Sequence, residues 1–340
     1  MNRRVSFQYE LLSKTMQHKK WLYNIMSCSI QWQSLTQLKN SAKIEMLSDE
    51  EIDYINDRIK VYATLNSTQF PLGVFLLCSS NKVTNVISTR DCECYSLLQL
   101  LLDRKLEEKL QVVAGTNVIN EVIRLIGDTG DYSIPSSDKT LLGEKIYEIN
   151  TSYLEVINDL LDTVNYTPLY CDLNGVYTSK PYVLPQNRPH NLIFRADLAT
   201  LVKPQIVDSL DIFNVPNVFT VYTDSIDIPP MRYTYVNDRP DSITSTVNRN
   251  RRICASEKVE ATSIDDLVEK AKKMCDEANS KFAHLELEVA LRNDLNLYDD
   301  CIWVKLNDID SKYILYNVSY NCKVGETMKI KLRKVVDLFV

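Results

Sequence analysis

Ser263-Ile264-Asp265-Asp266-Leu267-Val268-Glu269-Lys270-Ala271-Lys272-Lys273-Met274-Cys275-Asp276-Glu277-Ala278-Asn279-Ser280-Lys281-Phe282 is the stretch on which the fold reading turns. Ser263-x-x-Asp266 is a capping signal, and Ile264, Leu267, Val268, Ala271, Cys275, Ala278 and Phe282 recur at helical spacing. Asp265, Glu269, Lys272, Lys273, Asp276 and Glu277 fill the opposite face, so one amphipathic helix is predicted over 263–282. Each large apolar side chain that it buries contributes roughly 1.5–3 kcal/mol, enough to pin the helix on a sheet. That sheet is expected from the residues that follow. Leu285, Leu287 and Val289 alternate with Glu286 and Glu288, and Ile302-Trp303-Val304, Tyr313-Ile314-Leu315-Tyr316-Asn317-Val318 and Met328-Lys329-Ile330-Lys331-Leu332 add strands. Gly325 makes the last two a hairpin. From Arg239-Pro240-Asp241-Ser242 to Val340 the chain therefore carries one helix, four short strands and no catalytic constellation, the layout of a part built into an assembly.

Upstream, Val5, Phe7, Tyr9 and Leu11 alternate with Ser6, Gln8 and Glu10, and Cys28, Ile30 and Trp32 and then Ala42, Ile44 and Met46 repeat the two-residue period. Pro71-Leu72-Gly73-Val74-Phe75-Leu76-Leu77 is a continuous apolar run, read as a central strand covered on both faces. The period changes at Tyr95, where Leu97, Leu98, Leu101, Leu102 and Leu106 predict a first helix. Asn117 precedes a second, with Val118, Ile119, Val122, Ile123 and Ile126 as its apolar face and Gly127 as its stop. Ser152-x-x-Glu155 is a capping box ahead of Leu154, Ile157, Leu161 and Val164 and predicts a third. Asn174-Gly175, between Leu169–Leu173 and Val176–Thr178, predicts a tight type I′ hairpin. Prolines 181, 185, 189 and 204 mark an irregular crossing before the strand Val218–Thr223, and a domain boundary is expected near residue 205.

A chain of 340 residues with 45% hydrophobic and 25% charged residues is a folded chain of two or more modules. Only 7 glycines and 11 prolines argue against a disordered or fibrous one. The net charge of −6 opposes stable binding to nucleic acid, which requires a basic surface, and is compatible with a duct wall along which DNA slides. The nine cysteines, Cys28, Cys78, Cys92, Cys94, Cys171, Cys254, Cys275, Cys301 and Cys322, are scattered and mostly sit in apolar patterns. Residues 1–20 contain no apolar leader core and no run approaches a membrane span, so maturation in a reducing cytoplasm is expected.

Candidate chemistry is sparse. Cys92-x-Cys94 lacks a second ligand pair for zinc and reads as two cysteines at a strand-to-helix junction. His18, His190 and His284 have no nucleophile elbow or oxyanion loop around them, and most carboxylates lie on solvated helix faces. No catalytic, cofactor-binding or metal-binding residue and no cofactor is assigned. Arg249-Asn250-Arg251-Arg252 could recognise phosphate or an acidic partner or be a solvated connector; contacts to a neighbouring subunit are the favoured reading. The 19 tyrosines suit subunit contacts and half-buried strands equally.

The collinear series Tyr9-Glu10-Leu11-Leu12, Ser29-Ile30-Gln31-Trp32, Ser41-Ala42-Lys43-Ile44, Asp57-Arg58-Ile59-Lys60, Pro71–Leu77, Val215-Pro216-Asn217-Val218, Arg239-Pro240-Asp241-Ser242, Tyr313-Ile314-Leu315 and Leu332-Arg333-Lys334-Val335 resembles the tail or baseplate hub proteins of phages that infect Gram-positive bacteria. The resemblance spans nearly the whole chain. It implies an α+β, β-rich fold with two tube-like β-barrel domains, residues 1–94 with 165–205 and residues 206–340, and an inserted helical domain at 95–164. It also implies a non-enzymatic homotrimer at the tail tip, assembled in the host cytoplasm and free of any membrane anchor. Such a hub joins a hexameric tail tube or distal tail ring to a fibre, spike or lysin protein, and genomic DNA passes through its channel without specific binding. Two tube modules per subunit let three copies present six, which is how a threefold part meets a sixfold tube. Many relatives continue into a cell-wall lysin module. With the last strand running to Val340, that module is expected to be absent or carried by another polypeptide. The alternatives are a hexameric distal tail protein, a peptidoglycan hydrolase of the tail tip, or the hub of a phage-derived bacteriocin.

Overall fold

The alternation that opens the chain becomes seven strands in the computed structural model, which describes residues 3–48, 51–84, 86–195, 202–210, 212–224, 230–261, 263–279, 283–298, 300–306 and 308–336. They are β1 (Val5–Leu12), β2 (His18–Leu22), β3 (Ile25–Gln33), β4 (Asn40–Leu47), β5 (Arg58–Leu65), β6 (Thr68–Val83) and β7 (Thr89–Tyr95). A mainly helical region follows: α1 (Leu98–Asp103), β8 (Leu110–Val112), α2 (Val118–Ile126), β9 (Tyr132–Ser133), β10 (Lys145–Tyr147), α3 (Tyr153–Thr163), β11 (Tyr170–Cys171) and β12 (Tyr177–Thr178). The remainder comprises β13 (Leu192–Arg195), β14 (Val202–Leu210), β15 (Val218–Tyr222), β16 (Arg232–Val236), α4 (Thr246–Arg249), β17 (Cys254–Lys258), α5 (Ile264–Asn279), β18 (Ala283–Ala290), β19 (Cys301–Leu306), β20 (Ile309–Asn321) and β21 (Thr327–Lys334). Ser280, Lys281 and Phe282, predicted to end the last helix, and residues 196–201 before the boundary expected near residue 205 lie outside the described residues.

The fold is β-rich with few helices. One large sheet runs in the order β14-β18-β21-β20-β3-β4-β7-β6-β5-β1-β2, with β19 paired to β20 and β13 to β19. This path has two ends and does not return on itself, so the described strands of one subunit close no barrel. The cause lies in two long strands that change partners midway. The 16-residue β6 pairs with β5 from Thr68 to Leu76 and with β7 from Leu76 to Val83, shifting register between Leu77 and Ser79. The 13-residue β20 pairs with β19 up to Ile314 and with β3 from Asn317, while β21 covers its other edge with a shift between Leu315 and Asn317. Such shifts bend and twist a strand, so each long strand carries the sheet onward where a short one would end it.

The apolar side of this sheet is one core. Ile30 and Trp32 of β3, Ile44 and Met46 of β4, Leu285 and Leu287 of β18 and Ile330 and Leu332 of β21 belong to a single buried cluster that spans the early and the late strands. A second cluster, built on α1, α2 and α3, takes in Leu12, Val74 and Leu76. The run Pro71–Leu77 is therefore covered on both faces: Leu72, Phe75 and Leu77 enter the first cluster and Val74 and Leu76 the second.

Local signals set the helix ends where the chain is free to follow them. The Asn117 side chain accepts from the Asn120 N–H, Gly127 ends α2 with φ +59°, and Ser152 and Glu155 form the capping box of α3. The first helix is shorter than predicted. Arg104 is extended because its carbonyl accepts from Tyr153 N–H, while Lys105 bridges Ser152 and Leu106 bonds Thr151, which pulls the chain out of the helix before Leu106. The Asn174-Gly175 turn is also wider than the predicted type I′. Gly175, at φ +87°, donates to the Asp172 carbonyl and the Asp172 carboxylate takes the N–H groups of Asn174 and Val176, so only the glycine needs positive φ.

The last helix corrects its expected partner. α5 packs on the small sheet β16-β15-β17, through Leu267 and Ala271 against Val221 and through Cys275 against Phe219. The strands after it join the large sheet instead. β14 and β18, on either side of this unit in sequence, pair directly from Leu210↔Ala283 onward. Ile264, placed on the apolar line by its spacing, is half exposed, and Asp276, placed on the solvated face, is buried. β16 and β17 were not expected: β17 carries no clear two-residue period, and at β16 Met231, Tyr233 and Tyr235 alternate with Arg232 and Thr234 only briefly.

Candidate assembly surfaces

The polar side of the large sheet is as continuous as its core. Because strand residues alternate, burying Cys28, Ile30 and Trp32 turns Ser29 and Gln31 outward, and the neighbouring strands turn out Lys43 and Glu45, then Asp91 and Glu93. Across β20 the same side carries Asn317, Ser319 and Asn321, then Lys329 and Lys331 on β21 and Glu286 and Glu288 on β18. Opposite charges sit side by side: Lys331 meets Glu286 at 2.5 Å and Lys329 meets Glu288 at 3.8 Å, and Lys43 stands opposite Glu93. The face is hydrophilic and close to neutral, with no basic stripe to hold phosphates.

Two strand edges end this face. Beyond Leu77, β6 is bonded only to β7, and β14 is bonded only to β18 among the described residues. Val83 on the first and Val207 on the second are both exposed. At the turns of one end, Tyr23, Ile55, Val86 and Ile87 are also largely exposed, and this end is knitted by Asn24 and Ser48 to Leu47 and Ser88.

Charged groups expected on solvated surfaces form internal joints. Asp162 of α3 receives Lys270 at 2.8 Å and Lys273 at 2.6 Å from α5, with both lysine side chains largely buried. Partial burial alone would raise the Asp162 pKa, but Lys273 and Lys270 outweigh it and hold the carboxyl down at about 2. The Tyr182 hydroxyl donates to Asp276 at 2.9 Å, and burial pushes the Asp276 pKa up. These joints tie the helical region and the crossing segment to α5. Their partners lie far apart in sequence, so no spacing signal marks them.

The two proline-containing motifs singled out by sequence meet in a buried hydrogen-bond network. Asn217 donates to the carbonyls of Thr244 and Arg251 and accepts from Ile253 N–H. Ser242 accepts from Asn237, which also donates to Thr244, whose hydroxyl donates to Asn279 of α5. Arg239 and Asp241 form a two-point ion pair across the turn at Pro240. Within the basic cluster, Arg249 donates to the carbonyls of Phe213 and Val215 and Arg251 lies over the Phe213 ring, so these two side chains clamp their own chain.

The candidates for chemistry are dispersed. His18 pairs with Glu10, His190 leans edge-on to Trp303, and His284 lies beside Tyr316 on the polar face. Cys92 and Cys94 point into the core from β7, near its junction with α1. Several tyrosines are internal struts, as where the Tyr177 hydroxyl donates to the Leu97 carbonyl at 2.9 Å. Among the described residues no group of three or more His, Cys, Asp or Glu is arranged to hold a metal ion, and no helix is long and apolar enough to cross a membrane.

A continuous sheet with one apolar and one polar side, a helical region on its flank and a small α/β unit set into its late strands is the fold of solved phage-type tail proteins. In particular, the crystal structure of the tail protein from Neisseria meningitidis MC58 superposes with a TM-score of 0.70 over 98% of this chain and 97% of that one, at 13% identity. The 43 kDa tail protein of prophage MuSo2 from Shewanella oneidensis gives 0.66 over 96% and 98% at 10% identity. Prophage tail protein gp18 from Listeria monocytogenes EGD-e gives 0.60 over 96% and 94% at 13% identity. These sources span three genera, so the shared fold does not select the Gram-positive class of host implied by the sequence resemblance. No protein-family model and no curated protein matches the sequence.

Proposed function

We propose that this chain is a structural hub subunit of a phage tail or baseplate, acting as a homotrimer and performing no covalent chemistry. The observation that carries the reading is the sheet with one apolar side, one neutral polar side and an open strand edge at each end of the polar side. Pairing the free half of β6 in one subunit with β14 of the next joins copies head to tail, and such a heterologous contact closes into a ring when the rotation allows. The two tube-like modules are residues 1–94 with 165–205 and residues 206–340, with the helical stretch 95–164 outside the ring. Three copies then present six similar sectors to a tail tube or distal tail ring and three to a fibre, spike or lysin protein. The polar side faces the lumen, where interleaved Lys and Glu let genomic DNA slide without counterion-driven binding. A ring of this kind needs interfaces on the order of 2,000 Å² or more.

The test is the mass and shape of the purified full-length chain under reducing conditions. Native mass spectrometry is expected to find three copies, and electron microscopy a ring with a central hole. Six copies would point to a distal tail protein, and a monomer at every concentration would overturn the reading.

A further inference from the structure

We propose that Cys28 and Cys322 form an intramolecular disulfide that staples β3 to β20 when the protein meets a peroxide-class oxidant. All nine cysteines are free in the structure, and this pair stands at the seam where the early and late strands join.

The backbone brings the two residues together. Asn321↔Ser29 is the last registered pair of the antiparallel β20–β3 ladder, and the Cys322 N–H donates to the Cys28 carbonyl at 2.9 Å, so the cysteines are the next opposed pair. Directly opposed residues in such a ladder have Cα atoms about 4.5–5.5 Å apart, inside the roughly 4.4–6.8 Å that a disulfide accepts. The side chains share one side of the sheet: Cys28 and Tyr9 belong to the main core cluster and Cys322 packs against it. Cys92 and Cys94 are poor competitors. Ile44 of β4 separates Cys28 from Cys92, and two strand spacings of about 4.8 Å each exceed the reach of a disulfide.

Access and roles follow from burial. Cys322 is partly exposed, and with Cys28 it lines a cavity of about 750 Å³. The neighbouring Cys322 thiol and burial push the Cys28 thiol up, which suits the second step better than the first. Cys322, as thiolate, attacks one oxygen of hydrogen peroxide; the O–O bond breaks, one water leaves after protonation, and Cys322 carries a sulfenic acid. The Cys28 sulfur then gives up its proton and attacks the Cys322 sulfur, and the S–O bond breaks to release a second water. Two thiols are thus oxidised by two electrons while one peroxide is reduced to two waters. A reducing cytoplasm keeps the pair open, and an oxidising medium closes it. The loop so closed takes in most of the chain, which is where a cross-link restricts the unfolded state most.

The experiment uses the full-length chain purified under reductant, exposed to hydrogen peroxide and mapped by non-reducing peptide mass spectrometry, with the exposed Cys78 and Cys254 as internal controls of oxidation. The expected result is a peptide joining Cys28 to Cys322, lighter by two hydrogens, cleaved by reductant, with a raised urea midpoint. Cys322→Ser and Cys28→Ser should each lose both the peptide and the shift. Recovery of both thiols as alkylatable when Cys78 and Cys254 are oxidised would overturn the proposal. So would stable over-oxidation of Cys322 with Cys28 free, or a cross-link from either residue to another cysteine. Because the mapping is done on the unsubstituted chain, a poorly folding variant leaves the outcome decided. The proposal concerns the seam within one subunit and holds or fails independently of ring formation.

Discussion

Asp162 and Asp276 are two carboxylates on or against the same helix with opposite electrostatic circumstances. Asp162 keeps a pKa of about 2 through Lys273 and Lys270, so its stabilising contribution is complete above its unfolded value near 4 and is lost as pH falls from about 4 toward 2. Its side chain is 49% exposed, so solvent screens the pair. Asp162→Asn is accordingly expected to cost about 1–2 kcal/mol at pH 7, less than for a fully buried pair. Urea melts should show that loss at pH 7 and a narrowing gap to the unsubstituted protein below pH 4. Asp276 has the opposite sign. Burial raises its folded pKa, so the folded state binds its proton more tightly than the unfolded one, and this group subtracts stability as pH rises through that window. Asp276→Asn keeps an acceptor for Tyr182 and removes the buried charge. Its melting temperature should equal or exceed that of the unsubstituted chain at pH 7, with the difference shrinking in acid; a clear loss at pH 7 would show that the charge is needed.

At the scale of elements, what was legible depended on whether the signal was local. Capping of α2 and α3 is written within a few residues and the structure follows it. Ser152→Ala removes the acceptor for Glu155 N–H and should cost about 1 kcal/mol by thermal or urea denaturation, with the rest of α3 intact. The Pro71–Leu77 run was likewise readable, because a strand apolar on both faces has few places to go but between two cores. The end of α1 was not, since it is decided by the segment around Ser152 that captures Lys105 and Leu106. The start of α5 was located to within a residue, yet its partner was missed. Its seat is made by β15, a strand that was expected, and β16, where the alternation of Met231, Tyr233 and Tyr235 with Arg232 and Thr234 is too short to say what it packs against; Cys254–Lys258 of β17 has too little apolar period to announce a strand. The joints at Asp162 and Asp276 were invisible for the same reason: a charged residue on a helix face looks alike whether water or a lysine from a distant element meets it.

On the scale of the whole molecule, the expectation of two barrels meets a single open sheet, because β6 and β20 each serve two neighbours and pass the sheet from one half to the other. Openness gives the proposed assembly its chemistry, since β6 beyond Leu77 and β14 each have one strand neighbour among the described residues and the proposal pairs their other edges across subunits. Val83→Lys together with Val207→Lys places like charges on both strands of the proposed joint. The concentration for half-dissociation should rise about tenfold or more by sedimentation, with the subunit's circular dichroism unchanged. The most direct measurement is a cryo-electron microscopy reconstruction of the assembled protein at a resolution that separates strands. The account predicts three subunits, with the β6 half after Leu77 lying against β14 of the next and the face that bears Lys43, Glu93, Glu286 and Lys331 lining the lumen. A ring of six, or a ring in which those two edges stay open to solvent, would contradict it.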